Sequence, residues 1–250
     1  MAYTLCVQLY TVRDAMANDW QGTLARVAKI GYTGVEVVYT DQIPAATFHA
    51  ELVRNSLRVS GAHVGIDFLR NSLDTVIADL KLFGARYVIC PWIAPDKRGG
   101  AAEWRALKNE LEVIGTRCRA AGMQFLYHHH DFELTPIGDT NALSILLDES
   151  APGTIDAEID IYWVAFAGMD PIAMLNKYKG RIPCVHLKDM GAGAKRDFAE
   201  VGHGTLDMAG VIKTATANGA EFLIVEQDVC PGDPLDSITK SFNWLKQHGY

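Results

Sequence analysis

Hydrophobic and polar positions fall into two alternating patterns along the chain. Short runs rich in Val, Ile and Leu recur at Thr4–Leu9, Gly34–Val38, Arg58–His63, Arg86–Pro91, Gln124–His129, Thr154–Ile161, Ile182–Leu187 and Glu221–Glu226. Their length and β-branched content predict eight strands. Between them, apolar residues return at three- and four-residue spacing: Leu24, Val27 and Ala28; Leu73, Val76, Ile77 and Leu80; Leu107, Leu111 and Ile114. That spacing covers one face of an α-helix. Gly31, Gly84, Gly122, Gly180 and Gly219 each stand between a helical stretch and the next strand. A residue without Cβ closes a helix there most easily. Asp170-Pro171 and Asp233-Pro234 read as helix starts, an acid at the cap and Pro at the first helical position.

Strands that alternate with helices must run parallel and be joined by crossovers. An open doubly wound sheet usually carries a Gly-rich phosphate loop after its first strand. Here the first run continues as Gln8-Leu9-Tyr10-Thr11-Val12-Arg13-Asp14, without a glycine. Eight regular units in 250 residues therefore predict a (β/α)8 barrel, an α/β fold filling residues 1–250 as one domain.

Composition agrees and removes other classes. Hydrophobic residues make up 49% and charged residues 21%, enough apolar side chain for a sizeable core and too much for disorder. The net charge is -7, so the basic surplus of a general nucleic-acid binder is missing. No apolar run approaches the ~18–20 residues of a membrane span. The opening segment Met1–Cys6 lacks a basic stretch followed by an apolar one, so no signal peptide and a cytoplasmic location are expected. Cys6, Cys90, Cys118, Cys184 and Cys230 are odd in number and without CxxC spacing, as expected for free thiols in a reducing compartment.

In such barrels the functional residues sit at the C-terminal ends of the strands. Those ends carry Gln8 and Tyr10, Glu36, His63, Trp92, the run His128-His129-His130, Glu158 and Asp160, His186, Lys188 and Asp189, and Glu226 and Asp228. Side chains alternate along a strand. One consistent choice of parity turns His128, Asp160, His186 and Glu226 into the barrel mouth from strands five to eight and turns His129 away. Two imidazoles and two carboxylates form a mixed N/O set for a divalent ion, with Mn²⁺ the first expectation and Co²⁺, Mg²⁺ or Zn²⁺ as alternatives. Tyr10, Trp92, Tyr162 and Trp163 follow strand ends, where flat rings can line a sugar pocket or form an apolar lid.

At these residues the chain resembles the sugar phosphate isomerase/epimerase superfamily, the xylose isomerase-like TIM barrels. The resemblance rests on Val7–Asp14, Tyr127-His128-His129-His130-Asp131-Phe132-Glu133, Glu158–Trp163, Val185-His186-Leu187-Lys188-Asp189-Met190, Glu200–Asp207 and Val225–Asp228. It implies a divalent ion held by a strand-five Glu, a strand-six Asp, a strand-seven His and a strand-eight Glu. Asp160, His186 and Glu226 match the last three. At strand five this chain offers His128, with Tyr127 the competing alignment. The YHHH-type strand five is more similar to the branch containing inosose dehydratase. The superfamily also contains the DNA-binding endonuclease IV, against which the acidic balance and single donor set speak.

The resulting expectation is an enzyme acting on a small carbohydrate or cyclitol, with no nucleic acid or membrane partner, and a homo-oligomer as an open possibility. The first reading is an isomerase or epimerase that removes a proton α to a ketone. The second is a dehydratase or lyase on a keto-cyclitol or keto-glycoside, and the third a sugar-binding barrel without catalysis. Glu226 is expected as ligand and proton acceptor and His130 as acid/base, from an ordinary imidazole pKa near ~6.5. Lys188 is expected to bind an oxyanion, a hydroxyl or a phosphate, or to pair with Glu158 or Asp160. Gln8, Tyr10, His63, Trp92, Glu158 and Trp163 are the candidate substrate contacts, with Glu158 alternatively orienting a metal ligand. Gly202-His203-Gly204 could offer N–H groups to an anion, but a sharp turn is the preferred reading, which favours an unphosphorylated substrate.

Overall fold

A computed structural model describes residues 3–250. The first two residues of the opening segment lie outside it. Eight parallel strands close into a barrel: β1 (Thr4–Gln8), β2 (Gly34–Val38), β3 (Arg58–His63), β4 (Tyr87–Cys90), β5 (Gln124–His128), β6 (Asp156–Asp160), β7 (Cys184–Leu187) and β8 (Phe222–Val225). Each pairs with its neighbours in chain order, and β8 returns to β1 through Thr4↔Phe222 to Val7↔Val225. Outward-facing residues such as Val7, Val35, Val88, Leu187 and Val225 pack in the large core between strands and helices. Inward-facing Cys6, Tyr87, Ile89, Leu126, Cys184, Phe222 and Ile224 form a separate apolar plug in the lower barrel.

The boundaries follow the capping chemistry. Ile161, expected at the end of a strand, instead starts a helix (Ile161–Phe166), because the Asp160 carboxylate accepts from the N–H groups of Tyr162 and Trp163 at 2.9 and 3.1 Å. Gln8 likewise ends β1 by accepting from Tyr10 N–H at 3.1 Å. Asp170 and Asp233 cap as expected, accepting from Ile172 and Leu235 N–H, each at 2.9 Å. Gly115 lies inside the helix Ala101–Ala120 for a different reason. A Cβ there would stand 1.8 Å from the Thr154 carbonyl, so only glycine lets that helix approach the entry to β6.

One irregularity bears on the site. The register between β2 and β3 shifts between Val35↔Val59 and Val37↔Ala62, so Ser60 and Gly61 together oppose Glu36. This bulge brings Ser60 and His63, three residues apart, to the same neighbour. Ser60 Oγ lies 3.4 Å from Glu36 Oε1, and His63 Nε2 lies 3.1 Å from Glu36 Oε2. Among the described residues, no helix is long and apolar enough to cross a membrane.

Candidate active site

Above the apolar plug the barrel interior changes character within two residues on β1, β5, β7 and β8. Gln8, Glu36, His128, Glu158, Asp160, His186, Lys188 and Glu226 are all buried there. Parity works as the alternation requires: Ile224 pairs with His186, Asp160 with His186, and His128 with Glu158 across adjacent strands. One ligand atom from each of His128, Asp160, His186 and Glu226 falls within 4.8 Å of the others, so the four residues expected to share an ion do converge.

That donor set fits a divalent ion. All four side chains are buried, and His128 Nδ1 makes no well-directed hydrogen bond among the described residues, with Glu158 Oε2 standing 3.1 Å away. Burial and the neighbouring His186 and His63 hold His128 well below the ordinary imidazole pKa, so it presents a neutral ring. His186 turns Nδ1 to Glu226 at 2.8 Å and Nε2 to Glu36 at 2.7 Å. A carboxylate on the far nitrogen is the usual way a ligating imidazole is oriented. Glu36 is itself fixed by Gln8 Nε2 at 2.7 Å. Burial alone would raise the Glu36 carboxyl, but His63 and His186 overcome it and hold it well below the usual range.

Lys188 is the principal internal cation. Its ammonium is 1% exposed and lies 2.8 Å from Glu226, 3.0 Å from Asp160 and 3.1 Å from Asp228. Burial would lower its pKa, but the three carboxylates raise it well above the ordinary value. Of the two pairings expected from sequence, the one with Asp160 forms. Glu226 feels the converse: burial raises it, and Lys188 and His186 bring it well below the carboxylate range.

Above these groups a cavity of about 680 Å³ opens, bounded by Tyr10, His63, Trp92, His128, His130, Glu226 and Asp228 among others. Three expectations need correction. Gln8 does not line the cavity; it is fully buried beneath it, because its amide serves Glu36 and the turn after β1. Glu158, expected to touch substrate or to orient a ligand, is fully buried with Oε2 at 2.7 Å from His63 and 3.1 Å from both His128 and His186, the placement of an orienting residue. Trp163 stands behind the cavity wall, its ring centroid 5.4 Å from that of His130 and 5.5 Å from Lys188 Nζ. His130 does line the cavity, but burial and Lys188 push its pKa down to about 3, so it is neutral near pH 7 and not a shuttle with an ordinary pKa. His129 faces away as expected, its Nε2 accepting from Asp160 N–H at 3.3 Å.

Other residues gain their roles only in three dimensions. Asp228 lines the cavity and holds Lys188 with both oxygens at 3.1 Å. Burial raises its carboxyl, Lys188 partly offsets this, and the result is a value pushed up to about 6. Its shared parity with Glu226 was the available signal. Gly61 inside a strand was the signal for the bulge that seats Glu36. Glu133 is buried where its carboxylate accepts from Tyr127 OH at 2.7 Å and His130 N–H at 2.8 Å. The Gly202–Gly204 loop proves to be a turn organised from within. The buried Asp189 carboxylate accepts from the N–H groups of Gly202, Gly204 and Leu206 at 2.9–3.1 Å, so those donors are already occupied by an acid of the chain.

Residues 24–248 match the family model of the xylose isomerase-like TIM barrel. The chain belongs to this family. The family resemblance read from the sequence is therefore confirmed over most of its length. Over 162 residues it is 28% identical to an inosose dehydratase of Lacticaseibacillus casei, a match covering 57% of this chain and 54% of that protein. The chain thus spans about half the length of the curated relatives it matches. A sugar phosphate isomerase/epimerase from Parabacteroides distasonis superposes with a TM-score of 0.83 at 18% identity, covering 100% of this chain and 96% of the other. A probable 3-DHS dehydratase from Bacillus anthracis superposes at 0.76 and 13% identity, covering 98% and 99%. At those identities the two structures establish the shared fold.

Proposed function

We propose that this barrel is a divalent-metal-dependent enzyme that removes a proton α to a ketone on an unphosphorylated keto-sugar or keto-cyclitol, after which a β-oxygen substituent leaves. The observation that carries this reading is the asymmetry of the cavity. Its carboxylates, Glu226 and Asp228, lie together after β8, whereas the groups around β5 are the neutral imidazoles of His128 and His130. Two opposed carboxylate bases, as a symmetrical epimerisation needs, are not arranged here. The 28% identity to inosose dehydratases points the same way.

His128, Asp160, His186 and Glu226 would hold a divalent ion, with Mn²⁺ the first candidate, which would supply Lewis-acid stabilisation of negative charge on the substrate. The chain's own residues do the rest. Asp228, less tightly committed than Glu226, takes the α-proton, and Lys188 fixes its two oxygens. The C–H electron pair becomes the enolate and then the new C=C bond as the β-oxygen departs. His63 lines the cavity and is protonated, since Glu36 and Glu158 overcome the opposing effect of burial and raise it to about 9. It gives the departing oxygen its proton. A cationic acid in the cavity also supports the isomerase or epimerase reading, in which the same enolate is reprotonated at carbon.

Solvent ²H₂O separates the two. Elimination gives water or aglycone and a new enone absorbance; isomerisation gives ²H at the α-carbon with every oxygen retained. Asp228→Asn should lower turnover about 10²- to 10⁴-fold in either case. Elemental analysis after Mn²⁺ loading should find one ion per wild-type chain and none in His128→Ala or Asp160→Ala. Chelator-resistant sugar binding without turnover would establish the non-catalytic barrel instead.

A further inference from the structure

The wall of the cavity is divided. Its charged and imidazole groups stand at the strand ends, while the opposite lining is Tyr10, Val38, Tyr39, Phe68 and Trp92. Tyr10, Val38 and Trp92 expose 42, 41 and 44% of their surface at the mouth, an unusual concentration of large apolar side chains. Beyond Tyr10, Val38 and Tyr39, which belong to both spaces, a second groove of about 330 Å³ continues outward. Its base is aromatic: Phe48 packs at a tilt against Trp20 and Phe83, with ring centroids 5.7 and 5.4 Å apart. Leu9, Met16 and Ile43 complete it, and Arg13 stands at its rim with the guanidinium 4.4 Å from the Tyr10 ring centroid. Tyr39 is fixed in the shared wall by donating to Asp79 at 2.7 Å.

A free sugar or cyclitol carries hydroxyls around its whole ring and has nothing to place in such a groove. From this continuity we infer that the substrate is a glycoside, with its oxidised sugar over the strand ends and an apolar, aromatic aglycone in the groove of Trp20, Phe48 and Phe83. The assignment rests on the carbohydrate reading above and names its substrate class. Aromatic faces and an arginine at the rim suit a phenolic group, which stacks on the rings and presents its oxygen to the guanidinium. Phenolate is also a better leaving group than hydroxide, in keeping with elimination.

The test compares phenyl and methyl 3-oxo-β-D-glucopyranoside binding to metal-loaded Asp228→Asn protein, in which turnover is slowed, read by tryptophan fluorescence. Phenyl glycoside should bind at least tenfold tighter. Ala17→Phe, on the exposed face of the first helix at the groove wall, should reduce it to the level of methyl glycoside, leaving methyl glycoside and metal content unchanged. Ala17→Ser should leave both affinities unchanged. Equal affinities with Ala17 in place, or equal losses in Ala17→Phe, would overturn the groove assignment alone. Absence of binding by both glycosides would overturn the sugar site beneath it as well. Light scattering that shows a dimer dissociated by Ala17→Phe would assign the groove to a second copy of the chain, and so overturn the proposal.

Discussion

The lower and upper halves of the barrel interior are built by the same strands at the same parity, yet they solve opposite problems. Below, Cys6, Ile89, Leu126, Cys184 and Ile224 exclude water from each other and ask nothing more of their neighbours. Two residues further along those strands stand Gln8, His128, His186 and Glu226, which cannot be buried singly without large desolvation costs. All but His128, which burial keeps neutral, are tolerated because each is committed to another: Gln8 to Glu36, Glu36 to His186, His186 to Glu226, Glu226 to Lys188. The lower layer stabilises the fold, and the upper layer is held by the fold for chemistry. The difference is open to test by removing one member from each.

The largest effect should come from Lys188→Met. Asp160, Glu226 and Asp228 would lose the ammonium that compensates them within 2.8–3.1 Å. Breaking a buried charge cluster from one side typically costs about 3–5 kcal/mol. Urea unfolding of metal-free protein should show that loss, and Mn²⁺ should restore part of it by replacing the missing charge. A destabilisation unaffected by Mn²⁺ would show that the ion does not share these carboxylates.

Glu133 lies at the edge of the upper layer and should respond to pH. Burial raises its carboxyl to about 7, with Tyr127 and His130 N–H only partly opposing. A carboxyl raised on folding stabilises the protein while protonated. Its contribution is complete below the unfolded value near ~4.5 and is lost as pH rises to about 7, a change of about 3 kcal/mol. Glu133→Gln should flatten stability between about pH 4.5 and 7. An unchanged slope in the variant would assign that pH dependence to other groups.

A smaller effect is expected of Glu36→Gln. The substitution keeps the shape of a side chain that touches no part of the cavity but removes the nearer of the two anions at His186 Nε2, leaving Glu158 at 3.1 Å. Loss of such an orienting partner costs about 10- to 100-fold in metal affinity. Competition with a fluorescent chelator measures this without reference to turnover. Unchanged affinity would mean that Glu36 only balances charge.

How much of this was legible in the sequence follows the same division. The eight strands, the helix caps at Asp170 and Asp233, and the convergence of His128, Asp160, His186 and Glu226 follow from alternation and capping, which are local rules. What sequence reasoning missed depends on distance. Gln8 stands at a strand end like a cavity residue, but Glu36 on the next strand and the turn after β1 claim its amide. The role of Glu36 needs the β3 bulge, and the shift of His130 needs the burial that Lys188 and its surroundings impose. Asp189 looks like one more acid at the mouth until the loop folds back and gives it three N–H groups.

The smallest effect is the most direct test of the comparison, because it concerns one strand. Ile224 lies in β8 and Glu226 directly follows its end at the same parity, two residues on, with Ile224 in the plug and Glu226 in the charged layer. Ile224→Val removes one methylene from a fully buried site, which should cost about 1 kcal/mol. For a chain of this size that lowers Tm by about 2–4 °C. Metal content and turnover should be unchanged at temperatures well below the transition, since Glu226 takes its position from Lys188 and His186 and not from packing on Ile224. A fall in metal affinity with so small a loss of stability would mean that the plug sets the geometry of the layer above it, and the two halves would then act as one site.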